Sequence, residues 1–246
     1  MVRLPDEPCL IDTAARTRAY YAGWLGLSDF PAASGCVYFA GRNEPPRGYA
    51  DRVDVFALSL REGGAHVGYG DAARAGIAAL DLTRPLPEAL YAAFGKRPGH
   101  AVKYEFCALP AIQSRACLLT ADDFPAWHAF YRALFSGDDG WMAEYYEDLA
   151  ASGMAYGVFV DGWIVSATDL PSMPHMADRV REIGINTLPA HRGRGYAREA
   201  CAGTLRAMLA RGICPTWSAR ADNIASRRLA EGLGFQEFGD AYLLTL

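Results

Sequence analysis

The chain has 246 residues, 51% of them hydrophobic and 21% charged, with a formal net charge of −4. This composition is typical of a globular protein with enough apolar mass for a core, and no apolar run is long enough to span a membrane. The six cysteines lack CxxC spacing, which argues against a zinc site or a disulfide framework and indicates buried thiols in a reducing cytoplasm. No segment is basic enough to predict nucleic-acid binding. We therefore expect a cytoplasmic protein without a metal, membrane or nucleic-acid partner.

The chain up to a predicted boundary at residues 109–111 shows the signals of a small α/β domain. Hydrophobic spacing and turn residues predict, in order, a helix over 11–27, strands over 36–40 and 53–60, helices over 71–80 and 87–94, and a strand over 102–108. We take residues 1–110 as a divergent N-terminal α/β domain.

The pattern is clearer over residues 111–246. It predicts strands over 116–119, 154–160, 163–168, 180–188, 215–219, 236–238 and 242–246, and helices over 124–134, 141–151, 195–211 and 223–233. Asp161-Gly162 is typical of a two-residue hairpin turn between two of these strands. The order of the elements predicts a mixed α/β fold, with a central mixed sheet flanked by helices.

Charge is unevenly distributed along the chain. Residues 112–175 carry 2 basic and 9 acidic side chains, net −7, whereas residues 176–246 carry 10 basic and 7 acidic, net +3. An acidic segment beside a basic one suits a cationic substrate and an anionic cofactor, but two solvated faces explain the same pattern.

The sharpest local signal is a Gly/Arg-rich turn, His191-Arg-Gly-Arg-Gly195, between a predicted strand and a long predicted helix. Amide groups at a helix N-terminus bind anions, glycines let the backbone approach a phosphate closely, and arginines add charge. The spacing is neither that of a Walker loop nor that of a dinucleotide-binding GxGxxG. We interpret the turn as a phosphate or pyrophosphate site, the alternative being a basic loop that only starts a helix.

Arg192-x-x-Gly195-x-Ala197 resembles the (Gln/Arg)-x-x-Gly-x-(Gly/Ala) signature of the GNAT superfamily of acyl-CoA N-acyltransferases. The segment from Asn223 to Phe235 resembles the second motif of that superfamily, and the element order agrees. The residues around Glu182 and Trp217 resemble most closely the group of zwittermicin A resistance-type acetyltransferases. The resemblance implies a GNAT domain over 111–246, preceded by the smaller α/β domain, with a degenerate GNAT half as the alternative for residues 1–110.

The resemblance also implies the residues that hold acetyl-CoA. The backbone amides from Arg192 to Ala197 would bind the CoA pyrophosphate, which involves residues Arg192, Gly193, Arg194, Gly195, Tyr196 and Ala197. Thr187 and Leu188 would offer backbone groups to the pantetheine and the acetyl carbonyl. Asn223 and Ser226 would contact the pantetheine arm or a phosphate, although the position of Asn223 also suits a helix N-cap.

Acetyl transfer by direct attack needs a base, an oxyanion donor and a route for the leaving thiolate. Strand alternation predicts Glu182 and Asn186 on one face, so we take them as the catalytic candidates; the alternative for Glu182 is a surface residue paired with a nearby arginine. Many GNAT enzymes have a tyrosine in the second motif that protonates the leaving thiolate, and Ala230 stands at that position here. Three alternatives stay open. Another hydroxyl serves as the acid, with Tyr145 and Tyr242 as candidates; the thiolate leaves unprotonated; or the domain is not catalytic.

The first two helices of a GNAT domain usually wall the acceptor site, and here that region contains acidic and aromatic residues. We predict the acceptor site from Asp138, Asp139, Trp141 and Tyr145, because carboxylates and aromatic rings bind cationic amines. His175 is a further candidate. A solvated acidic helix and loop is the alternative.

The function predicted from the sequence is an N-acetyltransferase that moves an acetyl group from acetyl-CoA to a primary amine, a small cationic molecule. Two alternatives stay open. One is a protein or peptide N-acetyltransferase, and the other is a non-catalytic acyl-CoA-binding or regulatory module, which Ala230 favours. The N-terminal segment either covers the active site or forms the face of a homodimer.

Overall fold

A computed structural model describes residues 12–31, 35–39, 53–137, 139–171 and 176–246. The helices of this part of the chain are α1 (Thr13–Trp24), α2 (Arg74–Ile77), α3 (Leu86–Phe94), α4 (Phe124–Leu134), α5 (Met142–Ala151), α6 (Tyr196–Ala210) and α7 (Ile224–Gly232). Its strands are β1 (Cys36–Phe39), β2 (Val55–Leu60), β3 (Ala65–Tyr69), β4 (Gly99–Phe106), β5 (Cys117–Leu118), β6 (Tyr156–Val160), β7 (Trp163–Asp169), β8 (Val180–Glu182), β9 (Gly184–Thr187), β10 (Cys214–Arg220) and β11 (Phe235–Leu244).

These strands form two sheets flanked by helices, as the mixed α/β pattern predicts. The larger sheet has the order β1-β3-β2-β11-β4-β10-β8, and the smaller has the order β5-β6-β7-β9. The pairs β1–β3 and β8–β10 are parallel, and the remaining pairs of both sheets are antiparallel. None of the helices in the described ranges is both long and apolar enough to cross a membrane.

Strand β4 lies between two strands that come much later in the chain. It pairs antiparallel with β10, where Ser218 is opposite Lys103, and with β11, where Tyr242 is opposite His100. Because β4 precedes the predicted boundary near residue 110, one sheet contains strands from both sides of that boundary. The division into domains at 1–110 and 111–246 stays a prediction.

The predicted strand 180–188 is interrupted at Ile183, where the chain passes from one sheet to the other. Before this residue β8 pairs with β10, and after it β9 pairs with β7. The Ile183 amide still donates to the Thr216 carbonyl at 3.0 Å. Beyond this hydrogen bond β9 pairs with β7 in the smaller sheet, while β10 stays in the larger one.

Helices cover both faces of the sheets. Asp169 bonds to Tyr131 on α4, whereas its neighbour Thr168 bonds to Thr204 on α6, and successive strand residues point to opposite faces. Helices α4 and α6 therefore lie on opposite sides of β7. Helix α1 contacts β4, β8 and β10 and buries Tyr21 among its other aromatic residues.

Three further elements differ between the prediction and the structure. The first is β3, which the sequence does not predict because it contains Gly68 and Ala65, both poor strand formers. At Gly68 a β-carbon would lie 2.9 Å from the Leu25 α-carbon, so the glycine permits close approach of the segment after α1. The predicted helix 71–80 shortens to a 3₁₀ turn and α2, and the two predicted terminal strands are one strand, β11, with a register shift between Glu237 and Gly239.

Candidate active site

A cleft with a volume of about 640 Å³ lies at the end of β9. It is walled by the end of β9, the loop that follows, and the first turns of α6 and α7. Its lining contains Ile185, Asn186, Thr187, His191, Arg192, Gly193, Gly195, Tyr196, Ala197, Arg198, Asn223, Ala225, Ser226, Arg228 and Leu229. The structure thus brings together most of the residues predicted to bind the cofactor, the exceptions being Leu188 and Arg194.

The N-terminus of α6, a helix of 15 residues, opens onto this cleft. Gly195 precedes the helix in the left-handed conformation, with φ of 84°, and no side chain caps the first turn. Gly193 also has a positive φ, 73°, and a β-carbon at either glycine would meet nothing within 4 Å. The free amides of the first turn and the open space beside them form an anion-binding cradle.

The charge of the cleft is positive. Its lining includes Arg192, Arg198 and Arg228 and contains no carboxylate. The Arg192 Nε donates to the Thr187 carbonyl at 3.2 Å, which ties the loop to the end of β9. The Nδ1 atom of His191 is buried without a hydrogen-bond partner among the described residues. An uncapped helix N-terminus and three arginines suit a ligand with several phosphate groups.

Thr187 and Leu188 already make hydrogen bonds within the protein. The Leu188 amide donates to the Val165 carbonyl at 2.9 Å, and the Thr187 Oγ1 lies 2.8 Å from the Ser166 Oγ. Leu188 lines a neighbouring apolar cavity beside α4 rather than the main cleft. Thr187 lines the cleft itself.

Asn223 and Ser226 line the cleft at the start of α7. The Asn223 Oδ1 accepts from the Ser226 amide at 3.2 Å, so Asn223 is the N-cap of this helix. The Ser226 Oγ accepts from the Trp217 Nε1 at 3.1 Å. Ala230, further along α7, is completely buried and offers no hydroxyl to a leaving thiolate.

The two predicted catalytic residues occupy different surroundings. Asn186 lines the cleft, whereas Glu182 is 8% exposed and is not part of the cleft lining. Glu182 lies close enough to act electrostatically on Lys103 of β4 and Tyr21 of α1. The sheet change at Ile183 explains the separation, because simple strand alternation does not continue through it.

The predicted acceptor residues are only partly brought together. The Asp139 carboxylate is 3.3 Å from the His128 Nε2 and 3.7 Å from the Arg132 Nε, so basic side chains already surround it. The Trp141 ring is 49% exposed and meets the Tyr145 ring edge-on at a centroid distance of 5.6 Å. The predictions for Asp138 and His175 concern positions outside the described residues.

Sequence reasoning missed a partly buried pair, Tyr131 and Asp169, at the end of β7. The Tyr131 hydroxyl donates to the Asp169 Oδ2 at 2.9 Å, and burial raises the pKa of this carboxyl. Asp169 is a carboxylate at the end of a strand whose preceding residues are buried, and this pattern could have singled it out in the sequence. Within the ranges that the structure describes, no three His, Cys, Asp or Glu side chains form a metal site.

The chain is similar to known proteins in sequence and in fold. Residues 141–243 match the family model of the GNAT acetyltransferase, and no curated protein matches the sequence. A GNAT-family acetyltransferase from Colwellia psychrerythraea is similar in fold, with a TM-score of 0.50 and 16% identity over 60% of this chain and 56% of that one. A GCN5-related N-acetyltransferase-like protein from Streptococcus suis has a TM-score of 0.47 and 18% identity over 78% of this chain and 84% of that one.

Residues 141–243 are thus similar to the GNAT acetyltransferase family, and the Colwellia protein is similar in fold. This chain spans 56% of the length of the Colwellia protein. The sheet change at Ile183 and the cradle at the start of α6 both lie within the matched residues.

Proposed function

We propose that this protein transfers an acetyl group from acetyl-CoA to a primary amine by direct attack. The observation that carries the proposal is the cleft at the end of β9, where an uncapped helix N-terminus, two glycines with positive φ and three arginines face one space. The GNAT match over residues 141–243 supports the same reaction class.

The residues of the cleft fit acetyl-CoA, which supplies an activated thioester when it is bound. The amides from Arg192 to Ala197 would hold the pyrophosphate in the cradle at the start of α6. Arg198 and Arg228 would pair with phosphate oxygens, because guanidinium groups bind them in a bidentate manner. Asn223 and Ser226 would border the pantetheine arm while keeping their contacts within α7.

The reaction requires proton removal from the amine and stabilisation of an oxyanion. The Asn186 side-chain amide lies on the cleft wall and would donate a hydrogen bond to the developing oxyanion. Glu182 is the base predicted from the sequence. With Ala230 buried, the thiolate would leave unprotonated or would take a proton from another group.

We infer a small cationic amine as the acceptor. The net charge of −7 over residues 112–175 and the neighbouring rings of Trp141 and Tyr145 support this class. A peptide acceptor is the first alternative. A non-catalytic acyl-CoA-binding module is the second, and the alanine at position 230 favours it.

The test combines thermal unfolding with an assay of thiol release. Acetyl-CoA at about 100 times its Kd should add about 2.7 kcal/mol to the free energy of unfolding. Gly195→Glu should remove this shift, because a side chain and a negative charge would occupy the phosphate cradle. Release of CoA thiol with small cationic amines, weakened by salt, supports the acetyltransferase; binding without release for any amine or peptide favours the non-catalytic module.

Three further parts of the proposal concern context. Free thiols at Cys201 and Cys214 support a reducing, cytoplasmic location. The resemblance around Glu182 and Trp217 supports the zwittermicin A resistance-type group. A homodimer is checked by light scattering of the purified protein, where the mass of a single chain, 26.7 kDa, contradicts it.

A further inference from the structure

The Asp169 carboxylate lies directly beneath the strand that forms one wall of the cleft. Asp169 is opposite Gly184 in the pairing of β7 with β9. A β-carbon built at Gly184 would lie 1.6 Å from the Asp169 Oδ1, so the carboxylate occupies the place of the missing side chain. Gly184 therefore permits this position of the carboxylate, and any other residue would displace it.

Two side chains lie between this carboxylate and the cleft. The Tyr131 hydroxyl donates to the Asp169 Oδ2 at 2.9 Å. The side chain of Asn186 lies close enough to the Tyr131 hydroxyl to act on it. Since Asn186 lines the cleft, Asp169 and Tyr131 lie behind the wall of the space proposed for the thioester.

Asp169 has no cationic partner among the described residues. The titratable groups linked to it are Tyr131, Tyr145, Glu182 and Cys201, all of them neutral or acidic, and Arg181 acts on Tyr145 beside them. Burial and the charge of Glu182 raise the pKa of the Asp169 carboxyl, and the Tyr131 hydrogen bond opposes them. A partly buried carboxylate without an ion pair destabilises the fold, which points to a functional role.

Glu182, by contrast, has a cation nearby. Lys103 is 2% exposed, its Nζ donates to the Ser218 Oγ at 2.8 Å, and the Glu182 charge counteracts the burial that lowers the pKa of Lys103. The charge of Glu182 is thus balanced from β4, whereas that of Asp169 is not. Of the two carboxylates, Asp169 is the one that a bound ammonium group would complement.

The two tyrosines linked to the carboxylate belong to an aromatic cluster of α4 and α5. Tyr131 bonds to Asp169, and Tyr145 lies close enough for the Asp169 charge to act on it. The Trp127 ring lies 4.2 Å from that of Tyr131 and 6.2 Å from that of Tyr145, measured between centroids. Aromatic rings near a carboxylate favour the binding of an alkylammonium ion.

We propose that Asp169, held by Tyr131, binds the ammonium group of the acceptor and accepts its proton. This inference rests on the proposed acetyl transfer. One N–H bond of the ammonium breaks and its proton passes to a carboxylate oxygen of Asp169. The free nitrogen then forms a bond to the acyl carbon as the bond from that carbon to sulfur breaks and the sulfur leaves as a thiolate. The second proton leaves the nitrogen and protonates the thiolate, and Asp169 releases the first proton, so the products are the amide, a thiol and one proton in solution.

The test measures kcat/KM for the amine against pH at saturating acetyl-CoA. Thermal unfolding measures acetyl-CoA binding separately. Asp169→Asn should lower kcat/KM by about 100-fold or more and remove the acidic limb of the profile, with cofactor binding unchanged. Tyr131→Phe should move that limb to higher pH, because it removes the hydrogen bond that lowers the pKa of Asp169. Glu182→Gln should move the limb to lower pH, because it removes a negative charge.

The opposite shifts in the two partner variants separate a catalytic carboxylate from a merely structural one. Asp169→Asn with kcat/KM within threefold of the wild type overturns the inference and leaves the acetyl transfer standing. Loss of the limb in Glu182→Gln alone assigns the base to Glu182 instead. If Asp169→Asn does not fold, the shift in Tyr131→Phe decides. A wild type that acetylates no amine refutes the proposed function and this inference together.

Discussion

The two glycines at the ends of α6 offer a controlled test of the phosphate cradle. Gly195 precedes the helix with φ of 84°, and Gly212 follows it with φ of 70°. A β-carbon at either position would meet nothing within 4 Å. Gly195→Ala and Gly212→Ala therefore impose the same kind of backbone strain on one helix, but only the first places a methyl group in the cradle.

The stability cost should be similar in both variants. A non-glycine residue in the left-handed region costs about 1–2 kcal/mol. Replacing glycine by alanine returns about 0.4–1 kcal/mol by restricting the unfolded chain. We expect a net loss of about 1 kcal/mol from each. Gly195→Ala should in addition weaken acetyl-CoA binding at least about tenfold, or 1.4 kcal/mol, because phosphate oxygens approach the backbone amides at this position.

The assay is thermal unfolding with and without acetyl-CoA at about 100 times the wild-type Kd. The wild type and Gly212→Ala should gain about 2.7 kcal/mol, or roughly 5–11 °C for a chain of this size. Gly195→Ala should gain about 1.4 kcal/mol or less, at most half that shift. Equal ligand-induced shifts in the two variants would refute the assignment of the cradle.

Three further predictions address single residues. Asn223→Ala should lower the free energy of unfolding, measured in urea, by about 1 kcal/mol, because the N-cap is lost. Asn223→Asp should keep the cap and weaken acetyl-CoA binding. Equal affinity of the wild type and Asn223→Asp for acetyl-CoA would exclude the cofactor role of Asn223. Gly203→Ala should lower the free energy of unfolding by about 1–3 kcal/mol, because its β-carbon would lie 2.5 Å from an aromatic ring of β6. The control is Gly232→Ala, whose β-carbon would enter open space and should not destabilise the fold. Burial raises the pKa of Cys214 to about 11, so iodoacetamide at pH 8 should modify exposed Cys117 and spare Cys214 in the folded protein, as peptide mass spectrometry would show.

The features that the sequence predicts best are those with local causes. The Gly/Arg-rich turn before α6 and the Asp161-Gly162 hairpin depend on residues next to one another in the chain. The N-cap alternative for Asn223 is likewise confirmed by its contact with the amide three residues ahead. Backbone conformation and helix capping are short-range effects, so one sequence is enough to reveal them.

The features that the sequence does not reveal depend on distant partners. No local pattern indicates that β4 enters the sheet between β10 and β11, or that the strand predicted over 180–188 changes sheets at Ile183. Asp169 and Tyr131 are 38 positions apart and come together only because α4 crosses the face of β7. Periodicity predicts which face of an element is buried, but it does not predict which element covers it.

The position of β11 has a consequence for the order in which the protein assembles. This strand lies between β2 and β4, which belong to the earlier part of the chain, and it alone joins the two halves of the larger sheet. Until β11 arrives, β2 and β4 each present an unpaired edge, and such edges attract other strands. We therefore expect folding to finish slowly, with loss of the residues after Gly234 leaving two partial sheets that aggregate.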